Sequence, residues 1–292
     1  MAESKNAQQV REITDKLEQG IKELFESERF KEYLRTMSKF YNYSFNNTLL
    51  IAMQKPEATY VAGYTSWQRN FDRQVMKGEQ GIKILAPAPY KAQEEREKID
   101  PATQKPVIGA DGKAVTETVE VLRPAFKVVS VFDVSQTDGK ELPDIIVDEL
   151  KGTVENYEAF FDALKQESPV PISFEDIPGG AKGFFSPVDS RIAIQKGMSE
   201  IQTVKTAIHE IAHAKLHAVK PDEKAAPEDK KDRHTKEVEA ESVAYTVCQR
   251  YGIETSDYSF GYIAGWSSGK ETKELKSSLD TIRKTAAEMI EG

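Results

Sequence analysis

The stretch TAIHEIAHAKLH, Thr206 to His217, holds three of the four histidines in a 292-residue chain. Val204, Ile208, Ile211 and Ala212 recur through it at helical spacing, so it reads as an α-helix with one buried stripe. On such a helix His209 and His213 stand one turn apart and about 40° around from each other. Both imidazoles can then reach one ion at about 2.0–2.1 Å. Glu210 projects beside that ion rather than onto it, the place for a general base acting on water. The pattern constrains the rest of the fold, because two histidines leave a catalytic metal site one protein ligand short.

His217 lies another turn along, about 6 Å further on, and suits a supporting, substrate-facing or helix-terminal place, in that order. The continuation H-E-x-x-H-x-x-G-x-x-H is absent. His234 closes a lysine-rich loop, KPDEKAAPEDKKDRH, which reads as solvated surface. The following helix, about 235–251 and stopped by Gly252, carries KEVEAESVAY. Glu237 and Glu241 are one turn apart and share a face with Ala240, Ala244, Val247 and Cys248, whereas Glu239 is expected to point away as solvated acidic surface. Two carboxylates on an otherwise apolar face are costly unless something positive meets them. A metal ion meets that need, with one glutamate as ligand and the other holding a ligand histidine in place.

HEIAHAKLH followed by E-x-x-A-E on the next helix resembles the ImmA/IrrE class of zincin-type metallopeptidases. The resemblance implies zinc, or another divalent metal, on His209, His213 and Glu237. It makes Glu241 the residue that orients a ligand, although relatives often have Asp or Asn there. Glu210 becomes the catalytic base for a peptide carbonyl, with His217 and Tyr245 as candidates for steadying the oxyanion. The strands AKGFFS and SRIAIQ sit where such domains keep an edge strand that pairs with an extended peptide.

The net charge of −8 argues against nucleic acid only as an average. From Lys31 to Lys91 there are nine Lys or Arg against four Asp or Glu, and the same segment holds ten of the 26 aromatic residues. Cations for phosphates and rings for bases are what a single-strand binder interleaves. In the motif AGYTSW, read as a strand, Tyr64 and Trp67 face opposite sides. Trp67 is assigned to the core and Tyr64 to a base, with Arg69, Arg73, Lys77 and Lys83 as the phosphate contacts.

Four signals resemble the N-terminal single-stranded-DNA-binding domain of ArdC-type antirestriction proteins. They are Y-S-x-x-N-x-L-L-I, A-G-Y-x-x-W, K-G-E-x-G-I-x-I-L-A-P and V-F-D-x-S-Q-T, spanning about 100 residues. ArdC-type proteins also carry a C-terminal zincin domain, so the resemblance implies antirestriction that protects incoming single-stranded mobile DNA. The charged segment 92–123, with GADGKA as its turn, departs from the pattern and is expected as a hairpin or loop.

The expectation is an α+β chain of two domains: a single-stranded-DNA-binding domain over 1–140, and over 145–292 a zincin-like domain with a small sheet and the HExxH helix, joined by SQTDGKELPD. No apolar run of about 18 residues offers a membrane span. The polar N-terminus does not resemble a secretory signal, and a single cysteine, Cys248, fits a reducing cytoplasm. Partners are single-stranded DNA and a possible protein substrate. Two alternatives stay open: a non-enzymatic single-strand-binding module with a structural metal, and a regulatory metalloprotease that cleaves a repressor.

Overall fold

Ile13, Leu17, Ile21 and Leu24 form the buried stripe of the first helix, α1 (Lys5–Leu24). The apolar pattern over residues 8–40 resolves into two helices, with α2 spanning Ser27–Lys39. α3 (Phe45–Gln54) starts where Ser44 Oγ accepts the amide of Asn47, and it ends ahead of Pro56. The computed structural model describes residues 4–101, 103–109, 112–142, 157–218, 231–253, 255, 258, 260–261 and 263–292.

β1 (Val61–Gly63), β6 (Phe126–Asp133) and β3 (Ile82–Pro87) make a sheet in the order β1-β6-β3, with Val61 opposite Asp133 in an antiparallel pair. β2 (Arg73–Val75) pairs with β7 (Thr137–Gly139). β4 (Tyr90–Glu97) and β5 (Thr116–Arg123) form the antiparallel hairpin expected within 92–123, extended toward its tip by the bridges Ile99–Pro106 and Ile108–Ala114.

One expected strand is a helix. Only Val61–Gly63 of ATYVAGYTSW is extended, and Tyr64–Phe71 forms α4, closed by Asp72 in the left-handed region at φ 51°. Aromatic residues suggested a strand, but Trp67 and Phe71 are four apart and their rings meet at 5.1 Å, which is helical spacing.

α5 (Tyr157–Glu167) precedes a second sheet of β8 (Ile172–Glu175), β9 (Gly183–Ser186) and β10 (Arg191–Gln195). Its order is β8-β10-β9, with β10 parallel to β8 and antiparallel to β9. Among the described residues α6 (Glu200–His217), α7 (Arg233–Arg250), α8 (Ile263–Ser267) and α9 (Thr272–Glu291) follow. Most of the lysine-rich loop falls at 219–230, outside the described residues. No helix among the described residues is long and apolar enough to cross a membrane.

The chain divides into two compact units at places other than 140–145. One gathers the chain up to Thr14 with Ile84–Val129; the other gathers Asp15–Lys83 with Ser130–Gly292. Within the second unit α2 packs against α7 and α8, with Phe30 edge-on to Phe260 at 5.2 Å and Phe25 edge-on to Trp266 at 5.9 Å. α2, from the first third of the chain, therefore shares a core with α7, the helix that packs on the histidine helix. The expected boundary itself adjoins 143–156, which lie outside the described residues.

Candidate metal centre and nucleic-acid face

α6 begins where Ser199 Oγ accepts the amide of Gln202, and α7 where Asp232 Oδ1 accepts the amide of Thr235 at 2.7 Å. These caps fix the starts of two helices that pack side by side. Across that contact Nε2 of His209 lies 3.1 Å from Nε2 of His213, and Oε2 of Glu237 lies 3.6 Å from each. Three ligands of one tetrahedral ion at about 2.0–2.1 Å stand roughly 3.3–3.4 Å apart, so this donor set fits a divalent cation. Among the described residues it is the one cluster of three His, Cys, Asp or Glu side chains that converges in this way.

The imidazoles of His209, foremost, and His213 hold the Glu237 carboxyl far below the usual carboxylate range, although its side chain is 48% exposed. Burial works against a charged His209, but Glu237 and Glu210 outweigh it and raise the imidazole above its ordinary value. Burial pushes the Glu210 carboxyl up, against the pull of His209, His213 and the backbone N–H of Phe185.

A cleft of about 550 Å³ opens over this centre, lined by Lys182, Thr206, His209, Glu210, Glu241 and Tyr258 among others. β9 is an edge strand beside it. Lys182 O accepts the amide of Gln195, so Phe185, three residues on, falls in a non-hydrogen-bonded pair with Ile192. Its N–H therefore turns outward, and it favours the charged form of Glu210. Gly183 makes this approach possible: a Cβ there would lie 2.6 Å from Thr206 Cγ2 and 3.0 Å from Ala193 O.

Glu239 does not face solvent. Expected on the solvated side of α7, it is completely buried. Its Oε2 lies 3.0 Å from His217 Nε2, and it accepts from Lys231 Nζ at 2.6 and 2.8 Å and from Ser278 Oγ at 2.8 Å. The facing failed because α6, α2 and α9 all pack on α7, leaving it little solvated face. His217 is buried between Glu239 and His213, its Nδ1 3.0 Å from His213 Nδ1. Burial lowers the His217 imidazole, whereas on Glu239 burial is outweighed by His217, Lys231 and Ser278, which hold the carboxyl low.

Tyr245 does not line the cleft; it is enclosed, edge-on to Tyr258 at 5.6 Å and to Phe260. Among the described residues Tyr258 is the tyrosine that borders the cleft, and the stretch DYSFGY carries no periodic signal to find it by. His234 is exposed.

On the aromatic segment, Trp67 is fully buried and donates Nε1–H to Phe132 O at 2.9 Å. Tyr64 is 50% exposed, its ring 6.2 Å from that of Phe132. The pair borders a cleft of about 780 Å³ with Asp72, Met76, Lys77 and Asp138. Arg69, Lys77 and Lys83 are exposed, and Lys83 Nζ donates to Ser130 Oγ. Arg73 is turned inward: its guanidinium donates to Thr137 Oγ1, Thr137 O and Lys140 O. The motif V-F-D-x-S-Q-T proves to be a structural knot. Asp133 accepts from the amides of Thr59, Tyr60 and Ser135, while Gln136 bridges Asp133 N, Glu79 and Gln80 O.

Fold and site together define an α+β protein with a candidate divalent-metal centre on a histidine helix. Residues 4–132 match the N-terminal domain of anti-restriction factor ArdC. The crystal structure of the metal-free antirestriction ArdC protein from the R388 plasmid superposes with a TM-score of 0.53 at 21% identity, over 85% of this chain and 84% of that one. The chain thus carries an ArdC-type N-terminal domain and shares the fold of a solved ArdC protein. The Bacillus anthracis protein pXO2-81 is 30% identical over 313 residues, covering 97% of this chain and 51% of its own length. DNA primase TraC of Escherichia coli is 28% identical over 208 residues, 70% of this chain and 14% of the primase. The chain spans about half the length of the first of these relatives and a smaller share of the second.

Proposed function

We propose that the protein is an antirestriction-type factor of a mobile element that binds single-stranded DNA and carries a zinc-dependent, zincin-like peptidase centre of the ImmA/IrrE kind. The observation that carries the second half is the convergence of His209 Nε2, His213 Nε2 and Glu237 Oε2 beside a buried Glu210 in an open cleft. Two imidazoles and one carboxylate suit zinc and admit other divalent ions. A cation bound there supplies Lewis-acid polarisation and an acidified water.

This chain's residues supply the rest. Glu210, oriented by the Phe185 amide, takes the proton from the attacking water and returns it to the leaving amine. Gly183, on the free edge of β9, turns its N–H and C=O outward, where an extended peptide pairs by strand addition. Glu241 borders the same cleft and orients a ligand imidazole.

For DNA, Tyr64 stacks on a base, while Arg69, Lys77 and Lys83 take phosphates and Arg73 braces β2 against β7 beneath them. Asp72 and Asp138 repel phosphate, so a base rather than the backbone enters the adjoining cleft. The DNA role is assigned to 1–140 and the hydrolytic role to 145–292.

The test is binding of labelled single- and double-stranded DNA by the unsubstituted chain and Glu210→Ala, with metal analysis of both. Equal single-strand binding with about one cation per chain fits the reading. Antirestriction that persists in Glu210→Ala would make the protein a non-enzymatic binding module.

A further inference from the structure

Three glutamates within five residues on α7 have different surroundings. Glu237 reaches the candidate ligands and Glu241 borders the cleft, whereas Glu239 faces neither and is the completely buried one. Burying a carboxylate this deeply is costly unless each oxygen is met by donors. Lys231 Nζ and Ser278 Oγ donate to Oε1, and Lys231 Nζ also reaches Oε2. The remaining contact of Oε2 is His217 Nε2, at 3.0 Å.

We infer that Glu239, through His217, sets the tautomer of His213 and thereby holds the metal-facing nitrogen of His213 free of hydrogen; the inference rests on the metal centre proposed above. A carboxylate only accepts, so the nitrogen it faces, His217 Nε2, carries the hydrogen. The other nitrogen of a neutral His217, Nδ1, is then a bare acceptor. It lies 3.0 Å from His213 Nδ1, so the hydrogen between those two atoms belongs to His213. That leaves His213 Nε2 with an open lone pair, and this is the atom 3.1 Å from His209 Nε2 and 3.6 Å from Glu237 Oε2. Glu237 pulls the other way, as an acceptor on the far side of the same ring, but at 3.6 Å against 3.0 Å, and it has His209 as a second donor. The hydrogens therefore run His213 to His217 to Glu239, across α6 and α7, and the accepting end is fixed from α9 by Ser278. Outer partners of metal-ligating histidines act in this way, fixing tautomer and ring orientation.

Glu239→Gln puts the direction to the test. Its carbonyl oxygen takes the Oε1 position, where Lys231 and Ser278 both donate, and its NH₂ faces His217, the partly exposed Lys231 ammonium giving up its second contact at Oε2. The order of hydrogens then reverses, and His213 turns an N–H toward the cation. His217→Gln keeps the original order, because an amide accepts from His213 with its oxygen and donates to Glu239 with its nitrogen.

The experiment is long-range ¹H–¹⁵N imidazole spectroscopy on the metal-free full-length chain at a pH where the rings are neutral, with calorimetric titration by Zn²⁺. The unsubstituted chain should show His213 as the Nδ1–H form and His217 as the Nε2–H form. Glu239→Gln should reverse both and weaken zinc about 10–100-fold. His217→Gln should keep the His213 form and stay within about threefold in affinity. His213 found as the Nε2–H form in the unsubstituted chain overturns the inference, and so does a folded Glu239→Gln with unchanged tautomers and affinity. If Glu239→Gln does not fold, the unsubstituted chain and His217→Gln still decide. Absence of zinc uptake by the unsubstituted chain would sink the metal reading instead, with the tautomers deciding this one independently.

Discussion

The indole of Trp67 donates to the backbone carbonyl of Phe132 at 2.9 Å, a bond that ties α4 to β6 and leaves the neighbouring ring, Tyr64, on the surface. Truncating a fully buried aromatic costs about 3–5 kcal/mol. Trp67→Ala should therefore lower the denaturant midpoint of the full chain sharply. Tyr64→Ala should leave that midpoint nearly unchanged and cost single-strand affinity by about 1–3 kcal/mol, measured by fluorescence anisotropy. Unchanged affinity in Tyr64→Ala would remove that ring from the interface.

Metal analysis separates the three α7 glutamates. Glu237→Ala should lose most of the bound cation, because it removes one of three converging ligand atoms while the fold persists, its side chain being half exposed. Glu241→Ala should fall between that variant and the unsubstituted chain. Glu239→Ala should lose stability, by about 3–5 kcal/mol, since it strands Lys231, His217 and Ser278 around an empty space. A Glu239→Ala chain as stable as its parent would contradict the buried network.

How much of this was legible in the sequence follows from how local each feature is. His209, Glu210 and His213 were readable because an i, i+4 pair on one helix needs no tertiary information, and Glu237 followed from asking what would complete a site. Glu239 was misplaced because its facing depends on how many elements surround α7. The same limit hid Arg73, whose partners Thr137 and Lys140 lie more than 60 residues away, and Tyr258, which borders the cleft from about 50 residues beyond the histidine helix's first ligand. The aromatic run of α4 was ambiguous for another reason: over eight residues, helix and strand periods place Trp67 in the core equally well. No local pattern carries the contacts of Phe30 and Phe25, whose rings meet Phe260 and Trp266 from the far end of the chain.

Gly183 couples the edge strand to the proposed base. Its missing side chain lets β9 come close to α6, where an added Cβ would meet Thr206 Cγ2 at 2.6 Å. Gly183→Ala should cost about 1–3 kcal/mol through overpacking and displace the Phe185 amide from Glu210. Bound cation should be retained, because no ligand atom moves off α6 or α7, while hydrolysis of an unstructured peptide falls at least tenfold. Glu210→Gln gives the reference: metal and fold kept, hydrolysis abolished. Full activity in Gly183→Ala would mean that β9 does not position the base.

The phosphate contacts are tested by salt dependence, and the full chain is the right material. An isolated 1–140 fragment would expose Phe30 and Phe25 where they now pack on residues beyond 250, so its failure to bind would say nothing about the interface. Each phosphate neutralised on a single strand contributes about 0.7 to the slope of log affinity against log salt. The Arg69→Ala, Lys77→Ala double variant should flatten that slope by about 1–2 units, since both side chains are exposed. Arg73→Lys should behave differently. A lysine cannot reproduce the fork that holds Thr137 and Lys140, so the β2–β7 pair should loosen and stability fall, with the salt slope unchanged. A slope that flattens for Arg73→Lys but not for the double variant would place the phosphates on the β2–β7 side and take Arg69 and Lys77 out of the interface.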